Sequence, residues 1–346
     1  MIEIIDISQP KKWNEVVTSF KQHDVYYLCG YVIPFMIHGD GDPKLLFYQG
    51  DKLKAMYVFM LRTTDIHGLF DTITPYGYGG VVFEGEVNDR TVQQFWNDYT
   101  LKMNEIGVVD DFVRYHPVLQ NAEPLRCFSD IVDLGKTIAI DLTSPEIIWE
   151  NFTSKKRGKI RKAEKNGIKV LHGQGMDLFE KFMPIYNSTM DKDEAAGYYY
   201  FDKSFYEAIH NELNDNYEMF YAIKDDKVIM MAIMLYCNGQ MHYHLSGSLV
   251  EYRNLEANNL VLYHAALWGH SKGLKTLHLG GGVGSGNDAL FEFKKGFNRK
   301  EDCQFSIGKQ IFNHEKYKKI IEERIKGDIE FNPDTTFFPA YRAIAK

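Results

Sequence analysis

The sequence predicts an α/β protein built from two domains of similar design. The chain has 346 residues, which is enough for two domains of ordinary size. From Tyr217 onward the apolar patterns follow the order strand, strand, strand, helix, strand, helix, strand. The first half has a similar series of two strands, a loop, a strand, a helix and a strand. No residue-level repeat is visible, so the prediction concerns architecture only.

A boundary between the two domains is predicted near Ser144. Ser144 followed by Pro145 is typical of a helix N-cap with proline at the first helical position. We therefore predict a first domain over residues 1–144 and a second over 145–327, facing each other across a cleft. The tail, 328–346, contains FNPDTTFFPAYR, which is too apolar for a free segment. We expect it to pack back on the first domain and complete it.

Composition and charge limit the kinds of partner and cellular environment that we expect for this protein. The net charge of -7 and the pI of about 6.0 oppose a broad electrostatic grip on nucleic acid, while leaving room for a local basic patch. The cysteines are scattered without a CxxC pair, which is typical of buried free thiols, and the N-terminus lacks a signal-peptide pattern. No apolar run reaches membrane-spanning length. We expect a soluble, cytoplasmic protein without an integral membrane segment.

A segment rich in glycine and tyrosine stands in the first half. Residues 70–83 read FDTITPYGYGGVVF, and Pro75 with three glycines forbids a regular helix, so the pattern predicts a shaped loop that enters a strand. Tyr76 and Tyr78 alternate with the glycines, and Gly79 follows them. These residues either bind a ligand or form an aromatic-glycine turn that packs on its own domain, and composition leaves both open.

A basic island opens the second half. Residues 155–165 read KKRGKIRKAEK, with seven basic residues and one acid, so that the local charge is 7 − 1 = +6. Arg157, Arg161 and Lys165 share one helical face. We predict that Arg157 and Arg161 hold an anionic group of a substrate, such as a diphosphate or an RNA end. A solvated helix face is the alternative.

A strand with a polar face is predicted over residues 240–246. Met241, Tyr243 and Leu245 alternate with His242, His244 and Ser246, so that one face is apolar and the other carries two imidazoles and a hydroxyl. His-x-His spacing suits a metal, but no third ligand is evident, and we expect no metal site. We predict that the three polar residues line a cleft together with Tyr76 and Tyr78; a solvated face is the alternative.

The stretch HLGGGVGSGNDALFEFKKGF, residues 278–297, combines a glycine loop with a short amphipathic helix. On that helix Leu290, Phe291, Lys294 and Phe297 share one face, while Lys295 points elsewhere. An ammonium on an apolar face must snorkel into water or meet an anion. Because glycines let a ligand approach the backbone closely, a pocket is expected where Lys294 emerges. A snorkelling lysine is the alternative.

Four stretches together resemble the Fem-type aminoacyltransferases and the GNAT-like acyltransferase domains grouped with them. They are residues 70–80, 155–170, 243–272 and 277–297, and FFPAYR at 337–342 also fits. The resemblance spans nearly the whole chain in order. It implies two GNAT-like domains, with the end of the chain returning to the first, and places Phe293 and Lys294 at the reacting centre.

The resemblance also implies a reaction. Fem-type enzymes move an amino acid from aminoacyl-tRNA onto an amine of a peptidoglycan-precursor stem peptide, without a cofactor. Because the ester is already activated, the enzyme must align the amine and stabilise the oxyanion of the tetrahedral intermediate. Lys294 suits the second task, and Phe293 can shield it. The expected substrate-binding residues are Tyr76, Tyr78, Gly79, Arg157, Arg161, His242, His244, Ser246, Gly281 and Gly282.

Three other functions compete with this one. An acyl-CoA-dependent acyltransferase would need a glycine-containing turn that cradles the pyrophosphate, and the corresponding residues 248–259 contain no glycine. A nucleotide-binding module built on the glycines at 280–286 fails the strict G-x-G-x-x-G spacing, and only the register that ends at Ala289 fits the looser form. A non-catalytic binding protein on the same fold would bind substrates without turnover.

Overall fold

The computed structural model describes residues 1–300 and 302–343 and divides into two compact units. The first comprises Met1–Leu134 with the segment that begins at Phe305, and the second comprises Gly135–Gln304. None of the helices in the described ranges is long and apolar enough to cross a membrane.

Thirteen strands and ten α-helices are found in the described residues. The strands are β1 (Ile2–Asp6), β2 (Asp42–Gln49), β3 (Leu53–Thr63), β4 (Phe70–Ile73), β5 (Val82–Gly85), β6 (Val108–Arg114), β7 (Asp130–Asp141), β8 (Lys169–Gly173), β9 (Tyr217–Lys224), β10 (Lys227–Cys237), β11 (Gln240–Ser248), β12 (Thr276–Gly280) and β13 (Cys303–Ile311). The helices are α1 (Pro10–Thr18), α2 (Cys29–His38), α3 (Asp89–Glu105), α4 (Pro145–Asn151), α5 (Ser154–Lys165), α6 (Met176–Lys192), α7 (Lys203–Glu212), α8 (Ala257–Ser271), α9 (Ala289–Lys295) and α10 (His314–Gly327).

The first unit is built on a mixed sheet with the order β1-β2-β3-β4-β6-β13, and β5 also pairs with β3. Only β4 and β6 run parallel among these pairs. The amphipathic helix α3, capped by Asn88, buries Phe95 and Tyr99 in the core. Because β13 completes this sheet, the returning segment begins near Phe305, well before the predicted residue 328.

The second unit has the sheet order β7-β12-β11-β10-β9-β8, in which β11 and β12 are parallel and the other neighbours antiparallel. β7 pairs with β12 through residues 138–141, so this unit starts before the predicted boundary at Ser144. Ser144 does cap a helix, since its side chain accepts a hydrogen bond from the Ile147 amide and Pro145 opens α4.

The second unit carries helices on both faces of its sheet. α8 packs Leu260 and Val261 against Ala232 and Met234 of β10. α6 approaches the other face, where a Cβ on Gly247 would lie 2.7 Å from the Cα of Tyr186, so only glycine admits the helix there. Both units are therefore layered α/β structures, as the sequence predicts.

One predicted strand is wrong. The apolar pattern around residues 25–31 predicts a strand, but Val25–Tyr27 form a 3₁₀ turn and α2 follows immediately. Nearly every side chain of α2 up to Phe35 is buried, so the helix lacks the polar face that would have revealed its period. A short, continuously apolar run cannot be assigned to helix or strand by periodicity.

Candidate functional site

Lys294 is buried on α9 and does not snorkel into solvent. Its side chain is 9% exposed, and its Nζ donates a hydrogen bond of 2.6 Å to the carbonyl oxygen of Gly281. Burial lowers the pKa of Lys294 to about 8, against the opposing attraction of Asp288. Lys295 instead pairs with Asp302 at 3.2 Å and is partly exposed. The two neighbouring lysines thus occupy different environments.

The face of α9 that carries Lys294 differs from the prediction at one position. Phe291 and Phe297 are buried, as expected, but Leu290 is 40% exposed. The N-cap of the helix is Asp288. The Asp288 carboxylate accepts from the amides of Phe291 (2.8 Å) and Val283 (2.9 Å), so it starts the helix and closes the glycine loop at once.

The glycine loop brings its backbone close to other groups. Gly281 lies against the chain, since a Cβ there would be 2.8 Å from the carbonyl oxygen of Lys136. A Cβ on Gly282 would be 2.3 Å from the carbonyl oxygen of Gly286 and 2.4 Å from the Asp288 carboxylate. These glycines are therefore required by the tight turn. One of them, Gly281, also provides the carbonyl that holds Lys294.

A second buried lysine, Lys156 of α5, lies beside Phe293, the residue that precedes Lys294. Its side chain is 5% exposed, and its Nζ donates 2.9 Å to Asn259 Oδ1. The same Nζ lies 3.5 Å from the centroid of the Phe293 ring. Burial, with a smaller effect of the charge on Lys159, lowers the pKa of Lys156 to about 7. Lys156 is not among the predicted site residues. The signal that could have identified it is helical spacing, because Lys156 shares the buried face of α5 with Ile160 and Ala163.

Arg157 has a structural position. Its guanidinium donates to the carbonyl oxygens of Phe152 (2.8 Å) and Trp149 (3.2 Å), which lie at the end of α4. It satisfies carbonyls that a helix end leaves without partners. Arg161 is exposed and stacks over the Trp149 ring at 5.2 Å. The two arginines therefore share a helix face but not an environment.

Exposed cations follow α5 beside these arginines. They are Lys155, Arg161, Lys162 and Lys165, which we call the α5 basic stripe. Within the residues that the structure describes, no carboxylate lies within 4.0 Å of any of them. Lys159, by contrast, pairs with Glu256 at 3.1 Å. The stripe is therefore available to an anionic partner.

A β-bulge divides the polar residues of β11. Tyr243 faces Met234 and Leu245 faces Ile233, so His244 is an extra residue between two paired positions. Residues after the bulge change face, because the side-chain period of a strand is two. Ser246 therefore lies on the same face as Tyr243, with which its hydroxyl hydrogen-bonds, while His242 lies on the opposite face. The prediction that His242, His244 and Ser246 share one face is wrong.

His242 is buried and His244 is partly buried, so neither lies on an open solvated face. His242 is 1% exposed, and its ring meets that of His278 edge-on at 5.6 Å. Burial lowers the pKa of His244 to about 3, so this imidazole is neutral at ordinary pH. The parallel ladder between β11 and β12 covers only residues 240–242 and 276–278, although β11 continues to Ser248. The two strands thus part beyond His242 and His278, at the carboxyl ends where α/β sheets form their sites.

The N-terminus of α8 carries a carboxylate. Glu256 precedes the helix with a left-handed backbone, φ 64°. Its Oε2 accepts from Asn259 Nδ2 at 2.9 Å and from Lys159 Nζ at 3.1 Å. A helix N-terminus attracts anions, and here a side chain of the protein itself takes that position.

Tyr76, Tyr78 and Gly79 are fixed within the first unit. Tyr76 stacks on Phe35 at 5.5 Å, and its carbonyl accepts from the Tyr31 hydroxyl. Tyr78 meets Phe305 edge-on at 5.5 Å. The Gly79 amide donates 2.8 Å to the Arg114 carbonyl, and its own carbonyl accepts from Asn121. The aromatic-glycine turn thus packs on its own unit, and both tyrosine side chains keep part of their surface exposed.

Comparisons with known proteins agree with this geometry. Residues 151–295 match the model of the acetyltransferase (GNAT) domain family. The structure is similar to that of FemX, with a TM-score of 0.67 and 14% identity over 92% of this chain and 99% of that one. The chain has a Fem-type, GNAT-like fold.

Two further structures share it. One is a conserved protein of unknown function from Bacteroides thetaiotaomicron VPI-5482, with a TM-score of 0.60 and 8% identity over 89% of this chain and 99% of that one. The other is the C-terminal domain of a putative lysylphosphatidylglycerol synthetase from Agrobacterium fabrum, with a TM-score of 0.55 and 12% identity over 92% and 96%. No curated protein matches by sequence. The domain match and the FemX fold support an acyltransferase.

Proposed function

We propose that the protein is an aminoacyltransferase that moves an aminoacyl group from aminoacyl-tRNA to an amine of a peptidoglycan-precursor peptide. The observation that carries the proposal is the placement of Lys294. It is a buried ammonium beside Phe293, held by the glycine loop at the end of β12, in the part of the chain that matches the GNAT domain.

The chemistry requires little more than alignment and one positive charge. The amine of the acceptor attacks the ester carbonyl of the donor, and a C–N bond forms while the carbonyl oxygen becomes an oxyanion. Collapse of this intermediate breaks the C–O bond to the ribose, whose oxygen takes up a proton as the attacking amine loses one. Lys294 stabilises the oxyanion in a water-poor site, where a fixed charge acts strongly. With a pKa of about 8 it is mostly protonated at neutral pH.

The N-terminus of α8 favours tRNA over coenzyme A as the donor. In coenzyme A-dependent GNAT domains the backbone amides at this point cradle a pyrophosphate. Here the turn before the helix contains no glycine, and the Glu256 carboxylate stands at the helix start. A pyrophosphate at that place would meet a like charge, which disfavours binding.

The α5 basic stripe supports the same donor. Its four cations lack carboxylate partners among the described residues, although the whole chain is acidic. The phosphates of an RNA acceptor stem are such partners, and binding them releases counterions. We assign donor contacts to Arg161 and its lysine neighbours. The guanidinium of Arg157 already donates to carbonyl oxygens at the end of α4. We therefore propose Arg157 as a weaker contact to the donor than Arg161.

The acceptor is assigned from the Fem-type resemblance. A cell-wall precursor amine is the acceptor we propose, with Tyr76, Tyr78, His242, His244, Ser246 and the glycine residues Gly79, Gly281 and Gly282 as candidate substrate contacts. The neighbour described as a lysylphosphatidylglycerol synthetase domain makes phosphatidylglycerol the acceptor to test beside it.

A transfer assay with a panel of donors and acceptors tests the proposal. Charged tRNAs and acyl-CoAs are each offered with a nucleotide-linked muropeptide, a lipid-linked muropeptide and phosphatidylglycerol vesicles. Transfer from tRNA to a muropeptide amine is the expected result. Transfer from acyl-CoA alone, transfer to the lipid alone, or tight binding without turnover would each replace the proposal by a different function on the same fold.

A further inference from the structure

The buried ammonium of Lys156 lies against residues 291–297, FEFKKGF, which we call the reacting motif. The proposed chemistry does not use this ammonium. Its Nζ is 3.5 Å from the centroid of the Phe293 ring and 4.3 Å from that of Phe297. Asn259 Oδ1 accepts its hydrogen bond at 2.9 Å. Two aromatic faces and one amide oxygen thus surround a single cation, and cation–π attraction is strongest where water is excluded.

The orientation of Asn259 is fixed by its second contact. Its Nδ2 donates to the Glu256 carboxylate at 2.9 Å, so its oxygen must face Lys156. Glu256 is held in turn by Lys159. A continuous set of contacts therefore joins the start of α8 to the first turn of α5 and the ring of Phe293.

The path of the Lys156 stem requires a glycine in the reacting motif. A Cβ on Gly296 would lie 2.5 Å from Lys156 Cε and 2.8 Å from its Cγ. The lysine therefore crosses the backbone at the end of α9 in direct contact. Beside this crossing, the Thr153 amide donates 2.9 Å to the Gly296 carbonyl. The end of α9 is thus fixed to the beginning of α5 on both sides of the lysine.

An apolar side chain would fill this space without the cost of burying a charge. Its cost would be that the buried Asn259 Oδ1 loses the donor that now satisfies it. The two effects on stability oppose each other, whereas the contacts of Lys156 with the rings of Phe293 and Phe297 orient both rings.

We propose that Lys156 is a positioning residue, which fixes the ring of Phe293 and thereby the orientation of α9 that presents Lys294. The inference rests on the proposed function for its activity readout, and a second readout below is independent of it.

The first test replaces Lys156 by methionine, which keeps an unbranched stem and removes the charge. We expect the thermal midpoint of K156M to stay close to that of the wild type, because relief from burying a charge offsets the hydrogen bond that Asn259 loses. Its kcat for aminoacyl transfer should fall about 10²-fold, the usual cost of a misplaced reacting group, with little change in KM. K181M, at an exposed lysine of α6 in the same unit, serves as the control. Wild-type kcat in K156M would overturn the proposal.

Two more variants separate positioning from a general structural role. In a double-mutant cycle with F293L, the K156M change should cost little, because the lysine acts through that ring. Additive losses would contradict the proposal. G296A keeps the lysine and suits the helical backbone at φ −61° and ψ −16°, but its methyl displaces the stem. It should reproduce the K156M loss; a fully active G296A would count against the proposal even if K156M did not fold.

Lysine-selective NMR tests the inference without turnover. In the wild type, the ε-methylene signal of Lys156 should be shifted upfield by the Phe293 ring, and F293L should remove much of that shift. K156M should move the ε-methylene signal of Lys294. An unchanged Lys294 signal would overturn the positioning role whatever the activity. Absence of transfer from every donor, with the NMR shifts as expected, would instead overturn the proposed function alone.

Discussion

The ability of Lys294 to stabilise an oxyanion depends on the environment of its side chain. Its neighbour Lys295 has the same chemistry, yet Lys294 is buried against the Gly281 carbonyl and Lys295 pairs with Asp302 at a partly exposed position. Only a charge that is fixed and poorly hydrated can stabilise an oxyanion without reorganisation. The adjacent pair therefore offers a matched comparison.

We predict that Lys294→Ala lowers turnover by about 10²–10³-fold, the usual cost of one lost oxyanion donor. Lys294→Arg should also be impaired, because a planar guanidinium cannot reproduce a compact charge at the Gly281 carbonyl. Lys295→Ala should stay close to the wild type, since exposed ion pairs contribute little. Steady-state aminoacyl transfer measures all three. Equal activity of the two alanine variants would contradict the catalytic role.

The pH dependence gives a second prediction for the same residue. Burial lowers the pKa of Lys294 to about 8, so its ammonium is present below that pH and is lost as the pH rises through it. The transfer rate should therefore decline on the alkaline side with an apparent pKa near that value. In Lys294→Arg the decline should disappear, because arginine does not titrate there. An identical alkaline limb in that variant would assign it to another group.

At the scale of elements, α5 combines three kinds of basic residue. Lys156 is buried, Arg157 caps α4, and the α5 basic stripe is exposed. The sequence shows seven cations in a row of eleven residues, but helical geometry sorts them into different environments. The function of the island thus belongs to particular faces of the helix and not to its net charge.

We predict that Lys162→Gln with Lys165→Gln weakens tRNA binding and lowers the slope of log affinity against log salt by about 0.7–0.9 for each lost phosphate contact. Arg157→Gln should instead lower the thermal midpoint, because it exposes the carbonyls at the end of α4. Lys181→Gln on α6, an exposed lysine of the same unit, is the control. Filter binding over a range of salt measures the slope. An unchanged slope in the double variant would contradict the phosphate contacts and favour the alternative, in which these lysines only form a solvated helix face.

At the scale of the molecule, the returning segment is joined to the first unit by buried carboxylates. The Tyr341 hydroxyl donates 2.6 Å to Asp110, and Arg342 donates 2.7 Å to Asp71, which also accepts from Arg62 at 2.5 Å. Asp71 and Asp110 are fully buried. Burial raises the pKa of Asp110 well above its ordinary value, with only partial opposition from the Tyr341 hydrogen bond.

We predict that Asp71→Asn lowers the free energy of unfolding by about 2 kcal/mol or more, because two partly buried guanidinium groups lose their partner. Asp110→Asn should cost less. Because folding raises the pKa of Asp110, its contribution to stability is present at low pH and lost as the pH rises through the folded value. The asparagine variant should therefore gain stability relative to the wild type as the pH rises from acid to neutral in urea unfolding. Equal losses in both variants at acid and at neutral pH would contradict this account.

Several features of this protein follow from its sequence. The repeated order of strands and helices predicts two layered α/β units, and the Ser144-Pro145 cap starts α4 as expected. The resemblance of four ordered stretches to the Fem-type enzymes predicts the fold that the FemX comparison shows. These signals are local, because caps, periodicity and motif spacing depend on residues a few positions apart.

Other features depend on the tertiary structure, because they arise between residues that are distant in sequence. The bulge at His244 exists only in the register of β11 with β10, and it moves Ser246 to the other face. The burial of Lys156 depends on Asn259, Phe293 and Gly296, which no helical period of α5 reveals. The start of the second unit at Gly135 follows from the pairing of β7 with β12. The sequence determined which residues carry charge and where a capped helix such as α4 begins; packing determined which of those charges are buried beside Phe293 and Lys294.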